Sequence, residues 1–558
     1  MYVIGISAYY HDSSVCLFKN NELVFAIEEE KFSGIKHDKS FPELSLKYLM
    51  KKFKLNKSNI EAVCYYENPQ LKLKRIKDNI KTKLFTDPIY CLKSYLKITN
   101  NIKELKEKLS SISDNIFYST HHESHLYYSY YTSPFDNALI VSIDGVGESD
   151  TISMGVIDND DIRYTSIATY PHSIGLFYSA MTSFLGFKPN EGEYKVMGLA
   201  PYGNYEKYVE KVRDLISIKW SNLKCNMDLF TWDKSDKLMF NEKLPMFLGI
   251  EPRLPEETIT QDYKDLASAI QKVYEEVVFQ LLKDISIGHE TNNLCLGGGC
   301  AYNGSANGKI PYNTFFKNLW IPPSPSDAGS AIGACVNYLV KNKKLKNKIS
   351  KNPFTGPHYY DDDIFNTIKN RVNNKYHKFF SQQKLKQLIA KELNNGKVVG
   401  WYQGHCEFGS RALGNRSILA NPTLDGMKDK INKVIKKREG FRPFAPMVIK
   451  EKQHEYFEMI DDIPYMNQVV KVKPDYVNIL KAVTHVDGTA RVQTVHKHTL
   501  IHDLLLEFEK VSGYPILLNT SFNVKDKTMV LTPKDAMDTF FDTEMDILVM
   551  GNYVIYKK

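Results

Sequence analysis

The chain has 558 residues, a net charge of +8 and eight cysteines. Its length exceeds what one hydrophobic core organises and predicts two domains or more. No apolar run approaches the roughly 18 residues of a membrane-spanning helix, which excludes a helical membrane protein. Cys16, Cys64, Cys91, Cys225, Cys295, Cys300, Cys335 and Cys406 form no CxxC pair, and Met1 runs directly into Tyr-Val-Ile-Gly-Ile with no signal peptide, so a reduced, cytoplasmic chain is expected.

Residues 1–30 hold three apolar segments, Val3–Ser7, Val15–Phe18 and Leu23–Ile27, the last two joined by a turn at Asn20-Asn21, a hairpin that can open an α/β domain. Between the first two lies Tyr9-Tyr10-His11-Asp12-Ser13-Ser14. This is either an ordinary polar turn or a nest aiming backbone N–H groups at a phosphate, with Asp12 and Ser13 at its centre. The basic cluster Lys72, Lys74, Arg75, Lys77, Lys81 and Lys83 predicts a solvated helix face. It lacks interleaved aromatics, so an anionic substrate suits it better than nucleic acid.

Next comes His121-His122-Glu123-Ser124-His125. A helix over 121–131 places His121 and His125 on one face, where two imidazoles can chelate one divalent ion, although surface helices also carry such pairs by chance. The zincin pattern HExxH is not met. The apolar run Ala138–Ile143 ends in Asp144-Gly145, presenting a carboxylate at the end of a buried strand; two imidazoles and a carboxylate suit iron or zinc. Residues 144–150 form a glycine-bearing turn and Thr151–Ile157 returns as a strand. This second strand, turn and strand unit suggests an internal duplication of the kind found in actin, sugar kinases and heat-shock chaperones. A third element, Leu294 to Asn303, is a strand entering a turn at Gly297, Gly298 and Gly299 and then a helix, where N–H groups and the helix dipole favour phosphate or ribose. It is neither a Walker A sequence nor GxGxxG. Asp327 precedes the small-residue helix Ala331–Leu339, where it either caps or leads the helix or serves as a ligand. The lysine-rich break at 341–352, with Pro353 and Pro357, predicts a linker.

Beyond about residue 375 the expected elements are helix Lys384–Leu393, a stop at Gly396 and strand Val398–Tyr402. The following loop carries Arg411 and Arg416 between glycines. Asn432, Lys436, Lys437, Arg438, Glu439, Phe441 and Arg442 come later, and then Asn519-Thr520-Ser521-Phe522-Asn523. Arginines so placed suit bidentate anion capture, and Arg411, Arg416, Arg438 and Arg442 are read as one oxyanion pocket rather than four separate surface groups.

In order and over nearly the whole chain these segments resemble the NodU/CmcH family of O-carbamoyltransferases. The resemblance rests on Tyr10–Ser14, Glu28-Glu29-Glu30-Lys31-Phe32 with Lys36-His37, His121-His122-x-x-His125, Asp144-Gly145 and Glu193–Ala200. It continues through Gly297–Asn303, Asp327-Ala328-Gly329, Glu407-Phe408-Gly409-x-Arg411-Ala412-Leu413-Gly414 and Asn519–Asn523. Lys31 and Gly34 stand where arginines are more usual in that family, and Ser410 where proline is usual.

The resemblance implies an α/β protein in two parts. Residues 1–352 would form an actin-like (ASKHA, TsaD-like) two-lobed domain for carbamoyl transfer, 353–378 a linker, and 379–558 a YrdC-like α/β domain that makes carbamoyl adenylate. It implies a divalent metal, iron first, on His121, His125, Asp144 and Asp327, with His11 beside the acceptor hydroxyl and Lys195 in the transfer site. ATP with Mg2+ and the donor carbamoyl phosphate would be held by Asp12, Ser13, Gly145, Gly297, Gly298, Gly299 and Asn303, and by Arg411, Arg416, Lys436, Arg438, Arg442, Asn519, Ser521 and Asn523. The implied acceptor is a small-molecule hydroxyl on a sugar or natural product, with no membrane or nucleic-acid partner; a homodimer is an allowed assembly. The rival readings are a TsaD-like factor carbamoylating tRNA, which would lack the fused arginine-rich half, and a non-catalytic actin-like nucleotide sensor, which leaves the histidines and arginines without a role.

Overall fold

Strand β1 (Tyr2–Ser7), strand β2 (Ser14–Lys19) and strand β3 (Glu22–Glu28) are the three apolar segments of the N-terminus, and the β2–β3 turn is Asn20-Asn21 with φ of 51° and 70°. Two consecutive left-handed residues give the primed turn whose twist matches a two-residue hairpin, and asparagine tolerates that conformation. The computed structural model describes all residues except 84–87, 159–160, 235–237, 372–375, 439, 441 and 558, and only the backbone of 79–83, 88–94 and 97. Glu439 and Phe441 of the C-terminal motif therefore lie outside the described residues, as do the side chains of Lys81, Lys83 and Cys91.

β1 pairs antiparallel with β2 and parallel with β4 (Ile60–Tyr65), and β4 pairs parallel with β5 (Ile116–Tyr118), giving the order β3-β2-β1-β4-β5. Helix α1 (His121–Tyr131) follows β5. The pattern then repeats with β6 (Leu139–Ile143), β7 (Asp150–Asp158), β8 (Asp161–Thr169), β9 (Asn293–Gly297) and β10 (Asn318–Trp320). Their order is β8-β7-β6-β9-β10, again with antiparallel pairs at the first three strands and parallel pairs at the last two. Two sheets of one topology, each followed by a helix, are the duplicated actin-like architecture. The second repeat closes with helix α2 (Asp327–Lys341), which begins four residues before the expected Ala331. Asp327 is the first residue of this helix and Ser326 its cap position, so the aspartate leads the helix without capping it.

Gly329 and Gly333 set the distance between α1 and α2. A Cβ on Gly333 would lie 1.8 Å from the Ser124 carbonyl oxygen, and one on Gly329 would lie 2.4 Å from the Tyr128 ring. The bare backbone lets α2 approach α1 until Asp327 stands beside His121 and His125. The described basic residues follow Pro69 on the helix Pro69–Lys83.

By packing, the chain divides into two compact units. The first comprises 1–26, 39–303 and 310–351; the second comprises 27–38, 304–309 and 352–558. The second unit is built on one mixed eight-stranded sheet with strands Val399–Tyr402, Arg416–Ala420 and Ile516–Ser521 near its middle. Side chains alternate across it. Val399, Trp401, Ile547 and Val549 pack on one face with Leu385, Ile389, Leu504 and Phe508 of two helices; Tyr402, Leu548 and Met550 pack on the other with Met537 and Phe540. Covering both faces explains why these strands are apolar almost throughout. Within 353–378, helix Asp361–Lys369 buries Ile364 and Ile368 in the second of these cores. Among the described residues no helix is long and apolar enough to cross a membrane.

Candidate functional site

Helix α1 is started by a reciprocal cap. Thr120 Oγ1 accepts from the Glu123 N–H at 3.4 Å, and the Glu123 carboxylate accepts from the Thr120 N–H at 3.3 Å. Glu148 accepts the His121 N–H at 3.0 Å and the Asn68 N–H at 2.6 Å, adding a carboxylate at the positive end of the helix. The first turn is thereby fixed, and both histidines are buried.

His121 Nε2 and His125 Nε2 stand 3.1 Å apart, at 2.9 and 3.0 Å from Asp144 Oδ2 and 3.4 and 3.6 Å from Asp327 Oδ1. Protons alone do not satisfy this set. An Nε2–H on one ring can serve the other ring or Asp144 Oδ2 but not Asp327 as well, and among the described residues neither oxygen of the buried Asp327 has a hydrogen-bond partner. A four-coordinate ion with bonds of about 2.0–2.2 Å needs ligand atoms roughly 3.3–3.5 Å apart, close to these separations. The residues therefore fit a divalent metal, and the donor set suits iron, zinc or manganese.

The charges agree with this reading. Burial lowers the basicity of His121, but Asp327 and Asp144 outweigh it and raise its pKa to about 9. His125 is raised likewise, by Asp144 and Asp327 against burial. Burial pushes both aspartates up and the histidines bring them below the ordinary carboxylate range. His122 lies outside the set: its Nδ1 is 2.8 Å from Ser153 Oγ, and burial and the neighbouring His121 lower it to about 3. Supporting contacts orient the ligand atoms, with Ser330 Oγ 3.1 Å from His125 Nδ1, and the Gly145 and Gly299 N–H groups donating to Asp144 Oδ1 at 2.7 and 3.2 Å.

Several N–H groups of the expected nucleotide cradle have partners within the protein. The Gly145 and Gly299 N–H groups serve Asp144, and Gly298 N–H donates to the Pro325 carbonyl. Gly297 lies in β9 opposite Ser142. The glycines are needed for space: a Cβ on Gly298 (φ 87°) would stand 2.3 Å from the Ile143 carbonyl. After the turn comes a short 3-10 helix, Gly299–Tyr302, and Asn303 exchanges two 3.0 Å hydrogen bonds with Gln271. In the β1–β2 turn, Ser13 Oγ donates to the Ser40 carbonyl. His11 Nδ1 is 3.4 Å from Asp12 Oδ2; burial lowers its basicity, while Asp327, Asp12 and Asp144 raise it to about 10, so His11 feels the charges of the four-ligand group. Lys195 Nζ lies 5.5 Å from the Phe187 ring centroid.

In the second unit, Lys430–Lys436 winds as a wide π-helical turn ending at Lys437 with φ 50°, a form frequent at functional sites. Lys436 Nζ donates to Ser521 O at 2.5 Å, Asn523 Oδ1 at 2.7 Å and Asn523 O at 3.0 Å. Burial, with Arg438, Arg442 and Lys36, drives its pKa well down. Arg491 is lowered in the same way, by burial and then Arg411, Arg438 and Arg442. The structure thus gathers Arg411, Lys436, Arg438, Arg442 and two residues absent from the sequence-based set, Arg491 and Lys36, into one region of mutually repelling cations. Arg438 Nε donates to Asn432 Oδ1 at 2.7 Å.

Arg416 is set apart from the cluster. Its guanidinium is fully buried against the Tyr402 ring, 3.7 Å from the centroid, and donates to the Gln403 and Gly404 carbonyls. Its placement at the start of a central strand turns it into the core. Asn519 Nδ2 donates to the Ala412 carbonyl and Gln493, and Ser521 Oγ to Asn523 Oδ1, so these residues shape the cationic region through its framework.

Fold and site define an actin-like α/β unit with a buried two-histidine, two-aspartate group, joined in one chain to a second α/β unit rich in clustered cations. Residues 2–336 match the family described as "Carbamoyltransferase N-terminus" and residues 390–557 the one described as "Carbamoyltransferase C-terminus". A protein of Synechocystis sp. is 37% identical, with 100% of this chain and 97% of its own covered. Nodulation protein NolNO of Sinorhizobium fredii is 32% identical over 99% of this chain and 80% of its own, and nodulation protein NolO of Bradyrhizobium diazoefficiens 35% identical over 78% and 79%. The chain belongs to the carbamoyltransferase family.

Proposed function

We propose that this carbamoyltransferase works in two stages at two sites: carbamoyl phosphate and ATP with Mg2+ yield carbamoyl adenylate in the second unit, and the carbamoyl group passes to a hydroxyl of a sugar or other small molecule in the first. Atom balance for the first stage requires one water: carbamoyl phosphate, ATP and water give carbamoyl adenylate, phosphate and pyrophosphate. The observation that carries the reading is the pairing, in one carbamoyltransferase chain, of a dry two-histidine, two-aspartate group with a separate concentration of cations. Polyanions satisfy such a concentration. Arg411, Arg442 and Arg491 supply positive charge fixed before the reaction, which stabilises charge developing on phosphate oxygens. Lys436 acts through the framework, since its hydrogen bonds hold the turn at 521–523.

In the first unit His121, His125, Asp144 and Asp327 would hold the metal, iron first. When bound, the ion supplies Lewis acidity toward a carbonyl oxygen. His11 takes the acceptor's hydroxyl proton on its ring. Asp327, Asp12 and Asp144 hold the His11 proton against burial, so its base form would be favoured where a cation offsets part of that negative charge. Such proton transfer is typically worth about 10²–10⁴-fold. Dry surroundings keep water from competing with the acceptor.

The test is AMP release from ATP in the presence and absence of carbamoyl phosphate, followed by mass spectrometry of candidate sugar acceptors. AMP release that requires carbamoyl phosphate, with a gain of about 43 Da on the acceptor (one CONH2 group replacing hydrogen, a carbamate ester), supports the reading. Nucleotide binding with no turnover would favour a sensor and overturn it.

A further inference from the structure

Glu28 closes β3, and Lys31 follows in the four-residue helix Glu30–Ser33. Both belong to the stretch 27–38, which packs as part of the second unit. Lys31 is 4% exposed and its ammonium is fully engaged: 2.6 Å from Glu28 Oε2, 2.6 Å from the Glu407 carbonyl oxygen and 3.1 Å from the Gly409 carbonyl oxygen. Three protons meet three acceptors. The other oxygen of Glu28 accepts the Gly409 N–H. Gly409 (φ 112°) is therefore held by both its N–H and its C=O, two residues before Arg411.

The opposite end of the same loop is also tied to a buried carboxylate. Glu407 Oε1 accepts from the N–H groups of Leu413, Asn415 and Arg416 at 2.9, 2.8 and 3.0 Å. Arg411 thus sits on a short turn fixed before it by Glu28 and Lys31 and after it by Glu407. Burial alone would strip the proton from Lys31, and Glu28 outweighs it and keeps the ammonium charged. A buried pair of this kind is weak evidence of stability for its own sake, because apolar residues of similar volume often serve as well. Its geometry is informative because the pair spends its donors and acceptors on the backbone of one functional loop.

We propose that Glu28 and Lys31 are positioning residues of the carbamoyl phosphate site, fixing the Gly409 backbone and through it the place of Arg411. This rests on the reading that Arg411 binds the donor's phosphate in the second unit. The N-terminal stretch 27–38 is then part of the adenylate-forming machinery, and the lysine found where the family more often has arginine is matched to one carboxylate and two carbonyls, a compact three-acceptor set that suits an ammonium.

The test uses the intact chain and carbamoyl-phosphate-dependent pyrophosphate release from ATP. The double variant Glu28→Gln/Lys31→Met removes both charges and leaves no unpaired ion. It is expected to raise the KM for carbamoyl phosphate about 10–100-fold while the KM for ATP moves less than about threefold, since small misplacement of a binding group costs rates of that order. Lys31→Arg, which keeps the charge and at least two donors, should recover to within about threefold of the parent. Glu28→Asp draws the carboxylate back by one methylene and should raise the same KM about tenfold; it decides the matter should the double variant not fold. An unchanged KM for carbamoyl phosphate in a folded double variant, or in Glu28→Asp, overturns the proposal. Equal rises for both substrates overturn it too, since they mark general damage. Arg411→Lys separates the two levels: if it weakens carbamoyl phosphate while the pair variants do not, only the positioning role fails; if Arg411→Lys has no effect, the phosphate assignment beneath it fails.

Discussion

Gly333→Ala tests whether the close approach of α1 and α2 assembles the metal group. The added Cβ would stand 1.8 Å from the Ser124 carbonyl oxygen and 2.6 Å from its carbonyl carbon. Ordinary carbon–oxygen contact begins near 3.2 Å, so the helices must separate by about 1.4 Å, and backbone atoms cannot rotate away as a side chain would. Overpacking of this kind costs about 1–3 kcal/mol, and the larger figure suits a clash with backbone. The displacement carries Asp327 from the two histidines by about two-thirds of a metal–ligand bond. Metal affinity should fall at least about 10–100-fold, as it does when ligand-orienting contacts are lost. Elemental analysis of protein purified without chelator, with a melting curve beside it, checks both effects. A Gly333→Ala protein with parental metal content and an unshifted melting transition would refute the argument that bare backbone sets this geometry.

Arg411→Lys retains charge but loses the planar fork, and should raise the KM for carbamoyl phosphate about tenfold or more with a smaller change in that for ATP, read from initial rates. His485 provides a pH test within the second unit. Burial holds its pKa down to about 4, below the 6.5 of an exposed imidazole, so below pH 6.5 the unfolded chain binds a proton that the folded one refuses. Its contribution to stability is thus complete above pH 6.5 and is lost as pH falls through 6.5 toward 4, at up to about 1.4 kcal/mol per pH unit. Denaturant melts of His485→Gln between pH 7 and 4 should lack that component; an identical slope in parent and variant contradicts it.

Much of this was legible in the chain. The hairpin at Asn20-Asn21, the helix opening at His121 and the strand delivering Asp144 follow from period, turn chemistry and the position of one carboxylate, all local features. Asp327 could be placed as the start of a helix, but its ligand role depends on glycines at 329 and 333 meeting Ser124 and Tyr128, a contact over some 200 residues of sequence. The turn at Gly297–Gly299 shows that close approach is needed without showing to what: among its neighbours are Ile143, Asp144 and Pro325. Arg416 shares a glycine-rich loop with Arg411, but the strand beginning at Arg416 carries its guanidinium into the core. Arg491 joined the cations without a local signal, and Lys36, although in a segment that carries the family resemblance, gave no sign of where it packs; the pairing of Lys31 with the Glu407–Gly409 backbone likewise needs the fold to be seen.

The division of labour between two sites is tested most directly by His125→Ala. The measurement is carbamoyl-phosphate-dependent pyrophosphate release from ATP, made beside carbamoyl transfer to an identified acceptor, in the parent and in the variant. With the metal group broken and the cationic cluster untouched, pyrophosphate release should stay within about threefold of the parent while transfer falls by about 10²-fold or more. Loss of both activities in equal measure would contradict the account.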